Sequence, residues 1–196
     1  MFVGCRHEES STPPPVERVA RQIARSGGES VIVFVADDGK EYDAAAGRNL
    51  RSTDQRFRVG SVTKTFTATI VLQLVEEGTL RLDSTLEDYV PGVVPRGDEI
   101  TIRHLLSHRS GLINVTDDAV WLDKASRSSS TRPLGTLRFA GSHPLDFTPG
   151  LIERYSNTNY IALGLIIENA TGRTYATELE ERILDPKLLE DVNTPE

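Results

Sequence analysis

Apolar and polar residues alternate in blocks that assign most of this chain to a few elements. Val16, Val19, Ala20 and Ile23 recur at helical spacing, which predicts a short amphipathic helix over Val16–Arg25 that stops at Gly27-Gly28. Ser30–Ala36 (Ser-Val-Ile-Val-Phe-Val-Ala) reads as a strand apolar on both faces, the pattern of a strand covered on both sides of its sheet. Asp37-Asp38-Gly39-Lys40 is a hairpin turn and Glu41–Gly47 the return strand. From Ser61 the period changes. Phe66, Ile70, Val71, Leu74 and Val75 predict a central, buried helix over Ser61–Glu77 with Gly78 at its C-terminal end.

Leu80-Arg81-Leu82-Asp83 leads to Leu86-Glu87-Asp88-Tyr89 and a turn at Pro91-Gly92. Thr101–Ser107 reads as a short helix with Thr101 as N-cap. Asp117-Asp118 reads as a turn, and Ser126–Arg132 as a low-complexity loop. Asn157–Ala170 is a largely apolar helix ended by Thr171-Gly172, and Thr174–Leu184 is a last helix. Four regions follow: a disordered tether over 1–15, a helix and hairpin over 16–60, a mostly helical region over 61–184, and a short return over 185–196. A lone hairpin is marginal in water, and a two-faced apolar strand needs neighbours beside it. This chain predicts no further strands to supply them.

Composition adds exclusions. The 196 residues suffice for one or two domains, and 22 Lys+Arg against 29 Asp+Glu give a net charge of −7. There is no basic stripe of the kind nucleic acid requires. No stretch reaches the roughly 18 apolar residues of a membrane span; the densest, Ile70–Val75, is interrupted by Gln73. One cysteine, Cys5, excludes an internal disulfide framework. Cys5 is either an incidental thiol in the tail or a lipid anchor, because Phe2-Val3-Gly4-Cys5 resembles the end of a bacterial lipoprotein signal. The anchor reading requires a start upstream of the one given, since no export signal stands in the sequence itself.

The candidate chemistry begins at Ser61-Val62-Thr63-Lys64. Residues i and i+3 share a helix face, so the Ser61 hydroxyl and the Lys64 amine are expected side by side at a helix N-terminus. A lysine there stands at the wrong end of the helix dipole and needs some other justification. Tyr155-Ser156-Asn157 lies just before the next apolar helix, after the turn Phe147-Thr148-Pro149-Gly150. Taken alone, each motif also fits an ordinary helix cap. His104 and His108, at i and i+4, have the spacing of a metal pair, but no third ligand stands nearby, and a structural role is the reading adopted. Trp121 belongs to the same middle region.

Together the two motifs, with His104-Leu105-Leu106-Ser107-His108-Arg109-Ser110-Gly111-Leu112 between them, resemble the penicillin-recognising serine hydrolases. More narrowly they resemble the branch of class C β-lactamases and Streptomyces-type D-Ala-D-Ala carboxypeptidases. Phe57–Lys64, Leu72–Gly78 and Tyr155–Asn159 carry the likeness, which extends over residues 16–196. The resemblance implies an α+β, β-lactamase/transpeptidase-like fold: an antiparallel sheet flanked by helices, plus a mostly helical domain. It implies that Ser61 is the nucleophile, that Lys64 helps take its proton, that Tyr155 is a second general acid/base, and that Asn157 hydrogen-bonds the substrate's acyl-side amide. It implies no cofactor and no metal.

The expected substrates are D-Ala-D-Ala peptides of peptidoglycan type or β-lactams, in an extracytoplasmic location. Whether Lys64 or Tyr155 is the base stays open, since either needs a lowered pKa to serve. A departure accompanies the likeness. The family's third motif, Lys or His then Ser/Thr then Gly, is missing after Tyr155; Ala170-Thr171-Gly172 lacks the basic residue and reads as a helix cap. The sheet is therefore expected to be incomplete and the chain to be truncated at its C-terminal side. The competing expectations are an active carboxypeptidase, a β-lactamase, an esterase or a D-aminopeptidase, an inactive family member, and a half-domain completed by another chain.

Overall fold

The computed structural model describes residues 15–27, 30–48, 53, 56–127 and 132–184. The proposed tether, apart from Pro15, and the return over 185–196 lie outside the described residues, as does Cys5. The chain forms two compact units, Met1–Arg58 and Val59–Glu196.

In the first unit, α1 (Pro15–Arg25) packs on a hairpin of β1 (Ser30–Asp37) and β2 (Lys40–Gly47). The strands pair antiparallel, from Ser30 opposite Gly47 to Asp37 opposite Lys40. Asp38 and Gly39 form the two-residue loop of a type I′ turn. Ala20 and Ala44 are buried between helix and hairpin, whereas Phe34 and Tyr42 remain 62% and 45% exposed. Among the described residues the sheet has two strands. The apolar outer positions of β1 thus stand uncovered, as expected of a strand whose second face lacks a neighbour.

The second unit is helical. A 3-10 turn (Gly60–Val62) leads into α2 (Thr63–Glu76). Short helices α3 (Leu86–Tyr89) and α4 (Ile102–Leu106) follow, then α5 (Ala119–Arg127), α6 (Pro133–Gly141), α7 (Asn157–Thr171) and α8 (Tyr175–Leu179), which runs on into a π-turn over Glu180–Leu184. The core gathers Ile70, Val71 and Leu74 of α2, Leu86 of α3, Ile102 and Leu105 of α4, Leu137 of α6, and Leu163, Ile166 and Ile167 of α7. α7 touches α2, α3, α4, α6 and α8, and is the helix around which this unit packs.

α2 is less central than its composition predicts, because Leu72 is 52% exposed. The loop expected over 126–132 begins later: Ser126 and Arg127 close α5, and 128–131 lie outside the described residues. α5 and α6 are helices that periodicity did not single out. Asp118 does more than turn the chain: its Oδ1 accepts from the N–H groups of Val120 and Trp121, both at 2.9 Å, and so caps α5.

Two local devices hold the short helices. Thr101 Oγ1 accepts from His104 N at 3.1 Å, while His104 Nδ1 accepts from Thr101 N at 3.4 Å, a capping box with histidine in the usual place of glutamate. Thr85 and Asp88 make the corresponding box on α3. Thr85 and Thr101 also bridge antiparallel, so the starts of the two helices are tied together.

Candidate active site

Gly60 immediately precedes Ser61 and has φ +55, a backbone state that L side chains rarely adopt. It turns the chain sharply into the 3-10 turn, and Ser61 stands exposed at the head of α2. Lys64, one helical turn on, points the same way, and its Nζ donates to Ser61 Oγ at 3.3 Å.

Tyr155 arrives from the other side of the unit. The segment 146–154 is laced to 108–111 by three backbone bonds, Asp146 N to Gly111 O, Gly150 N to Arg109 O and Arg154 N to His108 O, each 2.8 Å. Gly111 has φ +80, and a Cβ there would drive into the Phe147 carbonyl, so only glycine lets the two segments approach this closely. The lacing delivers the Tyr155 hydroxyl to 2.9 Å from Ser61 Oγ. Asn157, first residue of α7, completes the cluster: its Oδ1 accepts from Lys64 Nζ at 2.7 Å and from Tyr155 OH at 3.2 Å. The four residues singled out by sequence, from two regions some 90 positions apart in the chain, thus share one hydrogen-bonded cluster.

The misplaced lysine now has its justification. Lys64 Nζ lies between a hydroxyl and an amide oxygen, and stands 5.1 Å and 5.7 Å from the ring centres of Tyr155 and Tyr160. The Lys64 ammonium, and after it the Ser61 hydroxyl, hold the Tyr155 phenol below its ordinary value. Tyr155 is 48% exposed, so the cluster opens to solvent.

His108 does not pair with His104 for a metal. It follows the end of α4 in the left-handed region, φ 57, so the two rings do not share a helix face. His104 is spent on its capping box. The His108 ring lies tilted against those of Tyr155 and Tyr160, with ring centres 4.6 Å and 5.2 Å apart, and its Nδ1 accepts from Ser156 N at 3.3 Å. Burial first, then the Lys64 charge, pushes the His108 pKa down, while the Glu153 charge opposes this. Among the described residues there is no group of His, Cys, Asp or Glu able to hold a metal ion. Trp121 lies on α5, partly buried, with its N–H taken up by the Asp118 cap.

Sequence reasoning missed the support of the cluster. Asn114 Oδ1 accepts from Asn157 N at 2.9 Å, and Thr116 Oγ1 accepts from Asn157 Nδ2 at 2.9 Å. Ser156 Oγ and Thr158 Oγ1 both donate to Ile113 O, at 3.0 and 2.7 Å, and Ser110 Oγ donates to Asn159 Oδ1. A signal existed: Thr158 and Asn159 are polar residues in the first turn of a helix otherwise built for the core, and both are buried.

A family model described as Beta-lactamase matches residues 16–195. The chain belongs to the β-lactamase family. It is 34% identical over 169 residues to penicillin-binding protein 4 of Amycolatopsis lactamdurans, covering 81% of this chain and 42% of that protein. It is 36% identical over 168 residues to esterase EstB of Burkholderia gladioli, covering 76% of this chain and 41% of that one. A solved D-stereospecific amidohydrolase from Streptomyces sp. superposes with a TM-score of 0.78 at 38% identity, over 87% of this chain and 53% of that chain. The β-lactamase/transpeptidase-like fold is therefore the fold of this chain, which spans 42%, 41% and 53% of the length of these three relatives. No helix among the described residues is long and apolar enough to cross a membrane.

Proposed function

We propose that this chain carries the nucleophile centre of a serine acyl hydrolase, and that the reaction runs through an acyl-Ser61 intermediate. The observation that carries the reading is the Ser61 hydroxyl at 2.9 Å from the Tyr155 hydroxyl and 3.3 Å from Lys64 Nζ. A serine becomes nucleophilic at neutral pH only with a base in hydrogen-bond reach, and both candidate bases are in reach here.

In the forward step the Ser61 proton passes to the Lys64–Tyr155 pair as Oγ bonds to the substrate carbonyl carbon. The carbonyl electron pair moves to oxygen, near the first-turn N–H of Ser61. When the oxyanion collapses, the carbon–nitrogen bond breaks, and Tyr155 hands the proton to the leaving amine. Water then attacks the acyl ester by the reverse sequence, giving the acid and restoring the serine. Asn157 holds Lys64 and, through its amide nitrogen, is the expected contact for the acyl-side amide of the substrate.

The substrate class we favour is a D-configured peptide of D-Ala-D-Ala type, with the terminal D-alanine as leaving group. Similarity to a penicillin-binding protein and to a D-stereospecific amidohydrolase supports it. A class C-like β-lactamase or an esterase uses the same acylation centre, and likeness to a named esterase supports the latter. Peptidoglycan-type substrates place the working site outside the cytoplasm. A reading of another class is a family member that keeps the cluster without turning over, or one completed by a second chain.

Intact mass after incubation with benzylpenicillin tests the proposal. A stoichiometric adduct on the wild-type chain that disappears in Ser61→Ala is the expected result. A folded wild-type chain without adduct overturns it. Release of D-alanine, of ammonia from a D-amino acid amide, or of alcohol from an ester then separates the substrate classes.

A further inference from the structure

Asn157 must present its amide in one sense. An ammonium offers only hydrogens, so the oxygen has to face Lys64. Two neighbours enforce this orientation from behind. Asn157 Nδ2 donates to Thr116 Oγ1 at 2.9 Å, Thr116 Oγ1 donates to Asn114 Oδ1 at 3.1 Å, and Asn114 Oδ1 accepts from Asn157 N at 2.9 Å. The bonds close a ring in which each bond runs from a donor to an acceptor. With its oxygen taking bonds from Lys64 and Tyr155 and its nitrogen giving one to Thr116, the amide is polarised end to end.

We infer that Thr116 is a positioning residue for acyl transfer: its hydroxyl locks the Asn157 amide with the oxygen toward Lys64. The inference rests on the acyl-hydrolase reading of the site. An amide nitrogen carries two hydrogens. Thr116 takes one and leaves the other for a substrate carbonyl, so substrates bearing an acyl-side amide depend on this lock more than plain esters do. Without the hydroxyl, the nitrogen loses its acceptor, and the amide can turn its own hydrogens on the ammonium, donor against donor.

Thr116→Val removes the hydroxyl at near-constant shape, Thr116→Ser keeps it, and Thr116→Ala is a second, smaller deletion. Acylation by benzylpenicillin, followed by intact mass against time, is expected to slow about tenfold in Thr116→Val, the scale of one lost hydrogen bond at a charged centre, and to recover in Thr116→Ser. In an Asn157→Ala background, Thr116→Val is expected to add nothing, because its effect passes through Asn157. Wild-type rates in Thr116→Val and Thr116→Ala, or a full additional loss in the Asn157→Ala background, would overturn the inference while leaving the acyl-hydrolase reading intact.

If the wild-type chain forms no adduct, that reading fails instead, and the lock is judged by nuclear magnetic resonance. The two side-chain N–H hydrogens of Asn157 should exchange with solvent at unequal rates in wild type. The slower one should exchange roughly five- to tenfold faster in Thr116→Val and return to its wild-type rate in Thr116→Ser. Equal exchange of the two hydrogens in wild type would rule the lock out.

Discussion

The Tyr155 hydroxyl is where the proposed proton transfer meets side-chain placement. The Lys64 ammonium and the Ser61 hydroxyl favour its ionised form, so it releases its proton below the value near 10 of a free tyrosine. A base works when deprotonated, so acylation of Ser61 is expected to rise with pH through that lowered value and level off above it. Lys64→Met removes the charge, and the Tyr155 titration should return toward about 10. Tyrosinate absorbance against pH, with Tyr155→Phe as the blank, reads this directly; an unmoved titration would count against coupling of the pair.

His108 has the opposite consequence, for stability. Its folded-state pKa lies below the 6.5 of a free imidazole, chiefly through burial. The unfolded chain therefore takes up the proton first as pH falls, and stability present above 6.5 is lost progressively toward the lowered folded value. Asparagine tolerates the left-handed backbone at this position and does not titrate. Thermal unfolding midpoints across this window should fall less steeply in His108→Asn than in wild type.

At the scale of elements, caps and close approaches matter more than propensity. α4 is short and stands because Thr101 and His104 close a capping box and because Ile102 and Leu105 are fully buried. The loop that carries Tyr155 is placed by its lacing to 108–111, which depends on Gly111. Gly111→Ala meets both a left-handed backbone and the Phe147 carbonyl, and is expected to cost about 2–4 kcal/mol while pulling the Tyr155 hydroxyl away from Ser61. Urea unfolding gives the first quantity, and loss of the penicillin adduct the second. α8 is anchored differently: Glu178, 1% exposed, is paired by Arg182 and Arg173, and Arg182 reaches on to Glu77 beyond α2 at 2.6 Å. Arg182→Ala leaves the buried Glu178 carboxylate with Arg173 as its one partner, and a loss of about 3 kcal/mol is expected in the same urea experiment.

For the whole molecule, the two units differ in how they are held. The helical unit has a continuous core around α7, and Ile166→Ala, at a fully buried position, should cost about 2–5 kcal/mol. The hairpin unit buries little more than Ala20 and Ala44 among its described residues, and Phe34, on β1, is 62% exposed. Phe34→Ser is expected to change the unfolding free energy of this chain, read by urea denaturation, by less than about 0.5 kcal/mol. A large loss on that substitution would mean that something covers the strand in solution. Every atom of the Ser61 cluster comes from the helical unit, so its geometry is set by the packing of α2 against α7.

Local pattern was enough for the elements with strong period or strong punctuation: the hairpin at Asp38-Gly39, α2 up to Gly78, the Thr101 cap, and α7 up to Gly172. Ser61, Lys64, Tyr155 and Asn157 were singled out by the resemblance of their two motifs to a known family, since each motif by itself also fits an ordinary helix cap. Their convergence is a tertiary fact. Ser61 and Tyr155 meet only because α2 and α7 share one core and because Gly111 lets a loop lie against its neighbour. The roles of Asn114 and Thr116 were likewise invisible, since a polar residue in a loop looks the same whether it faces water or an amide. Sequence supplies the chemical groups and the local turns that expose them; only long-range packing decides which groups come within three ångströms of each other, and that distance is what separates a cap from a candidate catalyst.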